Sequence, residues 1–586
     1  MPVIFSSKRK SNPVPESEVL IMLLHKAMQE GGNDKFLLDG FPLNEESRAA
    51  FEAVIKFEPE LPLAFCSSVE EMEWRLLSRI QGREAIRKGF EAFLKSSLPV
   101  IEHYNSRGTV RKPYRMLGGL SPPLPSLAVR QSMSKSVSIP PPSSDESGRV
   151  AALVIGAGGR EHALCFALQR SPSCKSVFCA PGNAGISSSG NAVCLPELDI
   201  SDSSAVVSAC RELGIDLVVV GPEAPLVSGI VDDLARAGIL TFGPSKKAAA
   251  LEGSKSFFKS ICDKYNIPTA KYKVFTNPFA AKQYIKEEGV PIVVKADGLA
   301  AGKGVVIAMT LEEACDAIDS ILVKGVFSSA GSKLVVEEFL DGEEITFHAL
   351  VDGETALALE STSDHSRVGE GDTGPNTGGM GAYSPVPIIT PELRSLVMES
   401  IISPIVNGMA AEGRKFVGIL NAGLMIEKKS GLPKLFECNT RFGDPECQLL
   451  MVRLESDLVP VLLAACRGEL SKVTLDWSPE AAMVVVMASK GYPGIYETGS
   501  VIQNLTAAEL VAPSVKIFHA NTAFDSDGNF VAAGGRVLGV TAKGRNLEEA
   551  RDRAYQAVEA INWPGGFYRR DIGSRVLSKK QSEKEG

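Results

Sequence analysis

The chain has 586 residues, which is enough for several domains that each bury a core of their own. Its formal net charge of −8 argues against a nucleic-acid partner or an anionic membrane surface, and no apolar run approaches the ~20 residues of a membrane-spanning helix. The 11 cysteines are scattered without Cys-x-x-Cys spacing. That pattern is typical of free thiols in a reducing compartment and argues against a disulfide scaffold or a zinc site.

The first part of the chain divides at a change of composition. Residues 1–116 show helical patterning, whereas residues 117–149 are rich in serine and proline. Such a segment cannot bury enough apolar surface to order itself, so we interpret 117–149 as a linker. Its many serines and few acids are also typical of a plastid transit peptide, although the segment is internal here.

Residues 150–252 are predicted to form an α/β domain with a parallel sheet, because near-continuous apolar strands alternate with helices. A glycine turn at 156–162 follows the first strand, but Glu161 stands where the dinucleotide pattern G-x-G-x-x-G needs its third glycine. Nicotinamide or flavin binding is therefore disfavoured. Free N–H groups at a helix start still attract phosphate. Further strand-end loops predict a crevice for a phosphate-bearing small molecule; they are 182–185, 221–225 and 243–245.

A glycine-rich hairpin is predicted at 291–305, with Lys295 at the end of its first strand. Glycines let a backbone approach phosphates closely, and the Gly-Lys-[Ser/Thr] and helix of a Walker loop are absent. The apolar strand after it, 335–338, runs into a polar turn whose backbone could hold adenine while Glu344 holds the ribose.

Two polar segments follow. Residues 364–367 and 372–383 form a long glycine-rich loop, and loops of that length are often functional. Beyond 470 we expect shorter strands, a Gly-Gly-Arg turn and a late helix, and then a charged tail at 578–586.

The stretch 436–446 carries the most specific chemistry. Side chains alternate along a strand, so Glu437 and Asn439 point the same way. A carboxylate beside an amide oxygen suits a hard cation such as magnesium carrying nucleotide phosphates. Arg441 and Asp444 follow in a Gly-Pro loop, where a polar substrate could bind.

With these features in hand, residues 150–577 resemble the phosphoribosylamine–glycine ligases, which are ATP-grasp enzymes of purine synthesis. The resemblance implies a parallel-sheet N-terminal (pre-ATP-grasp) domain at 150–252, an ATP-grasp domain at 253–470 and a small α+β C-terminal domain at 471–577. The motifs that carry it are Gly-Gly-Arg-Glu-His-Ala (158–163), Gly-Pro-Glu-Ala-Pro-Leu-Val (221–227), Leu-Glu-Gly-Ser-Lys (251–255), Lys-Ala-Asp-Gly-Leu-Ala-Ala-Gly-Lys-Gly (295–304), Asp-Thr-Gly-Pro-Asn-Thr-Gly-Gly-Met-Gly-Ala-Tyr (372–383) and Arg-Phe-Gly-Asp-Pro-Glu (441–446).

The resemblance also implies an activity. ATP would convert glycine to glycyl phosphate, and the nitrogen of 5-phosphoribosylamine would displace phosphate to give glycinamide ribonucleotide.

The implied cofactors are ATP and magnesium, with manganese as the other metal. The implied catalytic residues are Lys295, Arg441 and Asp364; the nucleotide residues are Lys255, Lys295, Gly298, Gly302, Lys303, Gly304, Glu337, Glu338, Leu340 and Glu344; the substrate residues are Gly158, Gly159, Arg160, Glu161, Asn183, Glu223, Asp372, Asn376, Gly378, Gly379 and Asp444; the metal ligands are Glu437 and Asn439. Many ATP-grasp enzymes place another acid on the preceding strand, but 423–426 has none.

Residues 17–112 resemble a UMP–CMP kinase at 35–42, 82–84 and 93–102. The phosphate-binding glycine loop is absent, the acidic lid segment is missing, and Leu43 stands where arginine is expected. We interpret 1–116 as an incomplete kinase-like segment without kinase activity. Its position ahead of the transit-like linker leaves two locations open: the plastid stroma, or the cytoplasm if the fusion abolishes import.

Two alternative functions stay open at this point. One is a different ATP-grasp carboxylate–amine ligase or a carboxylase, against which the 372–383 loop favours the glycine enzyme. The other is a non-catalytic nucleotide-binding scaffold, against which Lys295, Glu437 and Asn439 argue. We expect small-molecule substrates only, with neither nucleic acid nor membrane as a partner; the oligomeric state is open, with a monomer favoured.

Overall fold

The computed structural model describes strands β1 (Val3–Ser6) and β2 (Phe36–Asp39) and residues 148–300, 304–327 and 331–578. The chain divides into two compact units, Met1–Ile139 and Pro140–Gly586. In the first unit β1 and β2 pair in parallel. The rest of the predicted kinase-like segment and most of the linker lie outside the described residues, as does the tail after 578.

A five-stranded parallel sheet opens the second unit, with strand order β5-β4-β3-β6-β7. Alternate residues of β3 enter two separate cores, so helices must cover both faces, and this explains the unbroken apolar strand. The predicted parallel sheet is confirmed. Its elements are β3 (Val150–Gly156), α1 (Gly159–Arg170), β4 (Cys174–Pro181), α2 (Ala184–Ser188), β5 (Val193–Cys194), α3 (Ser203–Leu213), β6 (Leu217–Val220), α4 (Glu223–Ser228), α5 (Ile230–Arg236), β7 (Thr241–Phe242) and α6 (Lys246–Gly253).

The central part of the chain contributes two antiparallel sheets. Its elements are α7 (Lys255–Lys264), β8 (Tyr272–Phe275), α8 (Pro278–Glu288), β9 (Ile292–Ala296), β10 (Val305–Ala308), α9 (Leu311–Ile318), β11 (Leu334–Glu338), β12 (Gly342–Asp352), β13 (Ala356–Ala358), β14 (Ser363–Asp364), β15 (Arg367–Gly369), β16 (Thr373–Asn376), β17 (Gly381–Ser384), α10 (Pro391–Val397), α11 (Ser403–Ala411), β18 (Val417–Glu427), β19 (Pro433–Asn439), α12 (Glu446–Arg453) and α13 (Leu458–Arg467). Short π-helical turns lie at Asp319–Val323 and Met398–Ile402.

We call the first of these the hairpin sheet, with strand order β10-β9-β11-β8, and the second the long sheet, with order β13-β12-β18-β19. In the hairpin sheet Lys295 pairs with Val305 across the glycine loop, as the sequence predicts. Helices α8 and α9 enclose a core of its own on one face, which leaves the other face free to meet the long sheet.

A third antiparallel sheet, the C-terminal sheet, has strand order β14-β17-β20-β24-β21, with β25 paired to β20. Helix α15 packs on it through apolar residues at helical spacing. The further elements are β20 (Ala481–Ser489), α14 (Leu505–Glu509), β21 (Val515–His519), β22 (Thr522–Phe524), β23 (Phe530–Ala532), β24 (Arg536–Gly544), α15 (Leu547–Ala560) and β25 (Gly566–Phe567).

This third sheet corrects the expectation of a long unstructured loop at 364–383. The segment forms β14, β15, β16 and β17; β15 pairs with β16, and β17 joins β20. Its glycines and short polar strands are typical of turns, so sequence periodicity could not separate the two states. The sheet also crosses the expected boundary at 470.

No helix in the described part of the chain is both long and apolar enough to cross a membrane.

Candidate active site

A cavity of about 1400 Å³ is lined by residues of the hairpin sheet, the long sheet and the C-terminal sheet. It collects most of the residues that the sequence singled out. Those on its wall are Arg160, Glu223, Lys255, Lys295, Gly298, Gly304, Glu337, Glu338, Leu340, Glu344, Asp364, Asp372, Asn376, Gly378, Glu437, Asn439, Arg441 and Asp444. Those not on its wall are Gly158, Gly159, Glu161, Asn183 and Gly379, and Gly302 and Lys303 lie outside the described residues.

The long sheet presents one face to this cavity. Strand register places Asn439 opposite Asn421 and Glu437 opposite Gly423, while Glu344 lies opposite Met425. Between Glu437 and Leu435 the register shifts, which leaves Phe436 in a bulge. The Phe436 carbonyl accepts a hydrogen bond from Lys295 Nζ at 2.9 Å, so the bulge ties the hairpin sheet to the long sheet.

Glu437 is half-buried yet ionised. Loss of solvent opposes its charge, but Lys255, Lys295 and Arg441 outweigh that effect and hold the pKa of the carboxyl below its ordinary value. Lys255 Nζ lies 4.0 Å from Glu437 Oε1, and Asn439 hydrogen-bonds to the carboxylate. A charged carboxylate beside an amide is a fitting pair of oxygen ligands for a hard divalent cation.

A buried ion triad that the sequence did not predict includes two residues of the cavity wall, Lys295 and Glu337. Glu337 Oε2 is 3.0 Å from Lys295 Nζ and 3.1 Å from Lys259 Nζ, and all three side chains are buried. Lys259 also donates to Thr269 Oγ1 at 2.7 Å. Glu337 therefore fixes Lys295 at the wall. The one available signal was spacing, because Lys259 lies one helical turn after Lys255.

The pKa values of two carboxyl groups near Glu437 are shifted in the opposite direction from that of Glu437. Burial, then the charge of Glu437, raises the pKa of Glu344 to about 7. Burial, followed by Glu446, Glu344 and Glu437, raises the pKa of Asp364 well above its ordinary value. Burial and these neighbouring acids therefore favour the protonated form of Asp364. Glu344, expected at the nucleotide ribose, lies close enough to Glu437 to feel its charge.

Arg441 is held by two acids. Its Nη2 lies 3.0 Å from Glu252 Oε1, and its Nε lies 3.4 Å from Glu223 Oε2. Glu252 is almost fully buried and also accepts from the backbone N–H of Thr440 at 2.8 Å. It was missed as a functional residue, although it stands in the Leu-Glu-Gly-Ser-Lys motif. Burial opposes the charge of Glu223, but Arg441 and then Arg160 hold its pKa below the ordinary value.

Two residues expected to bind substrate have internal partners instead. Glu161 accepts hydrogen bonds from the Gly158 N–H and from Arg160 Nε, both at 2.6 Å. Its carboxyl group packs against the glycines of the turn, where it leaves no room for a Cβ atom at Gly156 or Gly158. Asn183 donates to the carbonyls of Ala157 and His519, both at 2.8 Å. The structure thus uses both side chains to hold the turn and to join it to β21. A helix-capping acid and a ligand-binding acid look alike in a sequence.

The C-terminal region completes the wall with arginines that the sequence analysis did not select. Arg536 Nη1 donates to the carbonyls of Gly378 at 2.7 Å and Asp444 at 2.5 Å. Burial raises the pKa of the Asp444 carboxyl, but Arg536 and then Arg160 outweigh it and hold the pKa below its ordinary value.

Asp372, also expected to bind substrate, forms ion pairs with two arginines of the C-terminal region. Arg569 is buried and contacts Asp372 Oδ1 at 3.1 Å and Asp571 Oδ2 at 2.7 Å, and Arg575 also pairs with Asp372. Arg569 Nη1 donates to the Arg367 carbonyl at 2.8 Å. The hairpin β15–β16 is therefore clamped by residues that follow α15.

The chain matches family models of the three consecutive domains of phosphoribosylglycinamide synthetase: the N domain over 150–252, the ATP-grasp (A) domain over 253–447 and the C domain over 482–575. A relative from Arabidopsis thaliana, "Phosphoribosylamine--glycine ligase, chloroplastic", is 72% identical over 422 residues, which are 72% of this chain and 79% of the relative. The phosphoribosylamine–glycine ligase of Brucella melitensis biotype 1 is 53% identical over 74% of this chain and 99% of its own length.

Solved structures agree with this assignment. The phosphoribosylamine–glycine ligase of Thermotoga maritima superposes with a TM-score of 0.63 at 32% identity, over 72% of this chain and all of its own. A biotin carboxylase from Campylobacter jejuni shares the fold alone, with a TM-score of 0.54 at 15% identity over 72% of this chain and 94% of its own. The kinase-like character of 17–112 stays a prediction. The chain belongs to the phosphoribosylamine–glycine ligase family and is an ATP-grasp ligase of purine biosynthesis.

Proposed function

We propose that the ligation of glycine to 5-phosphoribosylamine takes place at the end of the long sheet that carries Glu437 and Asn439, which form the magnesium-binding pair. The observation that carries this proposal is the placement of Glu437 and Asn439 together on the cavity wall, where Lys255 Nζ lies 4.0 Å from Glu437 Oε1. No cluster of three or more His, Cys, Asp or Glu side chains suited to a metal is present among the described residues. Two protein ligands leave room for phosphate oxygens and water, as magnesium prefers. When bound, the metal supplies positive charge that neutralises the transferred phosphoryl group; manganese accepts the same ligands.

The nucleotide would lie along the sheet. Glu338, at the end of β11, and Leu340, in the turn that leads to the long sheet, would hold the adenine end. Lys255 and Lys295 would face the phosphates, beneath the glycine loop that includes Gly298 and Gly304. Phosphoryl transfer needs positioning and charge neutralisation more than covalent help from the protein. Lys295, fixed by Glu337 and the Phe436 carbonyl, and Lys255, 4.0 Å from Glu437, suit that task.

The reaction would proceed in two steps. A carboxylate oxygen of glycine attacks the terminal phosphorus of ATP, so that ADP leaves and glycyl phosphate forms. The amine nitrogen of 5-phosphoribosylamine then attacks the acyl carbon, phosphate leaves, and the nitrogen loses a proton. Arg441, fixed by Glu252 and Glu223, would orient the substrates in line. Asp364 lies on the same wall, and its raised pKa favours the protonated form, which would donate a hydrogen bond to an anionic oxygen.

A purified-protein assay tests this proposal. We expect ADP release that requires both glycine and 5-phosphoribosylamine and yields equal amounts of ADP and glycinamide ribonucleotide. ADP release with another amino acid but not with glycine would indicate a different carboxylate–amine ligase. ATP binding without any turnover would indicate a scaffold and contradict the proposal.

We further propose that the protein works in a plastid. The relative from Arabidopsis is named as chloroplastic, and the Ser/Pro-rich segment 117–149 has the composition of a transit peptide. The full chain carrying a C-terminal fluorescent reporter is expected to colocalise with plastids. Diffuse cytoplasmic fluorescence would contradict this location and would indicate that the segment before 117 blocks import.

A further inference from the structure

Asn421 lies on the cavity wall and has a buried, unsatisfied hydrogen-bond donor. The residue lies on β18 and is 2% exposed, and its Nδ2 has no hydrogen-bond partner. Most buried polar groups in folded proteins are paired, because an unpaired one loses its contacts with water without replacement. The missing partner is therefore expected to be a ligand.

The position of Asn421 indicates which ligand. It lies directly opposite Asn439, so the two side chains share the cavity face of the long sheet. The turn that would hold adenine lies at the other end of this face. His348 lies opposite Asn421, and Glu344 lies near the start of the same strand, β12. Between these two residues the strand extends by roughly 13 Å along the sheet. Asn421 thus lies at the end where the terminal phosphate of ATP and its acceptor would meet.

The charges around Asn421 favour a neutral donor at this place. Ionised Glu437 lies on the neighbouring strand, and Glu344 and Asp364 face the same space. An ionised acid repels an incoming carboxylate, whereas an amide N–H attracts it. Because the amide is uncharged, it does not compete with a cation for Glu437 and Asn439.

We propose that Asn421 is a further substrate-binding residue, whose Nδ2 donates a hydrogen bond to the carboxylate of glycine and to the same group in glycyl phosphate. This inference rests on the proposed function of the cavity. It adds a neutral contact, supplied by β18, to the charged residues that the motifs identify.

An internal role for Asn421 would give a different result. His348, directly opposite on β12, has an unpaired Nδ1, while its other ring nitrogen lies 3.0 Å from Thr362 Oγ1. A hydrogen bond between Asn421 and His348 would make the asparagine a structural residue, and its loss would then weaken the fold.

The test is the nearly isosteric variant Asn421→Leu. We expect kcat/KM for glycine to fall roughly 10- to 100-fold, which corresponds to one hydrogen bond to a charged group, while KM for ATP changes less than about 2-fold. The thermal midpoint of the ligand-free protein is expected to stay or rise, because an unpaired buried donor has been removed. Unchanged kcat/KM for glycine would overturn the inference, and so would a clear fall in the thermal midpoint.

A matched control is Thr541→Val. Thr541 is fully buried on β24, its hydroxyl is also unpaired, and it does not line the cavity. We expect the same effect on the thermal midpoint with full activity. An inactive wild-type protein would refute the proposed function, whereas an active wild type beside a fully active Asn421→Leu variant refutes only the role of Asn421.

Discussion

Replacing Glu437 by glutamine is expected to lower kcat/KM for ATP and glycine by at least about 100-fold. Glutamine keeps the size of the side chain but removes the one ionised ligand of the proposed metal pair. Lys255, which helps to hold the pKa of Glu437 low, would lose its ion-pair partner as well. Steady-state ADP release over a range of magnesium concentrations measures the effect, and half-maximal activity should need more magnesium than in the wild type.

The control for this variant is Glu354→Gln. Glu354 carries the same charge, but it is strongly exposed and pairs with exposed Lys415 at 2.6 Å. Exposed ion pairs contribute about 0–1 kcal/mol, so wild-type kinetics are expected. Equal activity of Glu437→Gln and wild type at low magnesium would refute the metal role.

The sequence predicted the shared orientation of Glu437 and Asn439 because a strand has a simple rule. Side chains two apart share a face, and the apolar residues before Glu437 mark a strand, so the joint orientation of Glu437 and Asn439 follows. The parallel N-terminal sheet was predictable for a similar reason, since strands covered on both faces are apolar throughout.

Other parts of the site could not be predicted, because they depend on contacts between distant segments. Lys259 resembles any helical lysine until β9 and β11 are packed beside it. Arg536 and Arg569 contact the 364–383 segment only because β17 joins β20 in one sheet. Glu161 and Asn183 were expected at the substrate, but the folded turn uses them as internal partners. Sequence motifs thus identified many residues that line this cavity, but did not separate them from residues whose side chains are used in internal contacts.

The second large effect is expected on the stability of the protein, and it comes from the buried triad of Glu337, Lys259 and Lys295. Glu337→Gln is expected to destabilise the protein by about 3–5 kcal/mol, because two buried ammonium groups, Lys259 and Lys295, lose their shared carboxylate. The neighbouring Glu338→Gln removes the same charge from the other face of β11. There Glu338 is about one-third exposed and pairs with Lys434 at 3.2 Å, so a loss below about 1 kcal/mol is expected.

A double variant shows whether charge balance causes this loss. Adding Lys259→Met to Glu337→Gln removes one of the two uncompensated ammonium groups and keeps an unbranched chain in the same space. Although each replacement removes a contact, the double variant is expected to unfold at a higher urea concentration than Glu337→Gln alone. Lys259→Met by itself leaves Lys295 and Glu337 as a matched pair and should cost far less than Glu337→Gln. If instead the effects of Glu337→Gln and Lys259→Met on stability are additive, side-chain packing and hydrogen bonding, rather than charge balance, stabilise this part of the cavity wall. Lys295 would then owe its position to the Phe436 carbonyl in the bulge of β19.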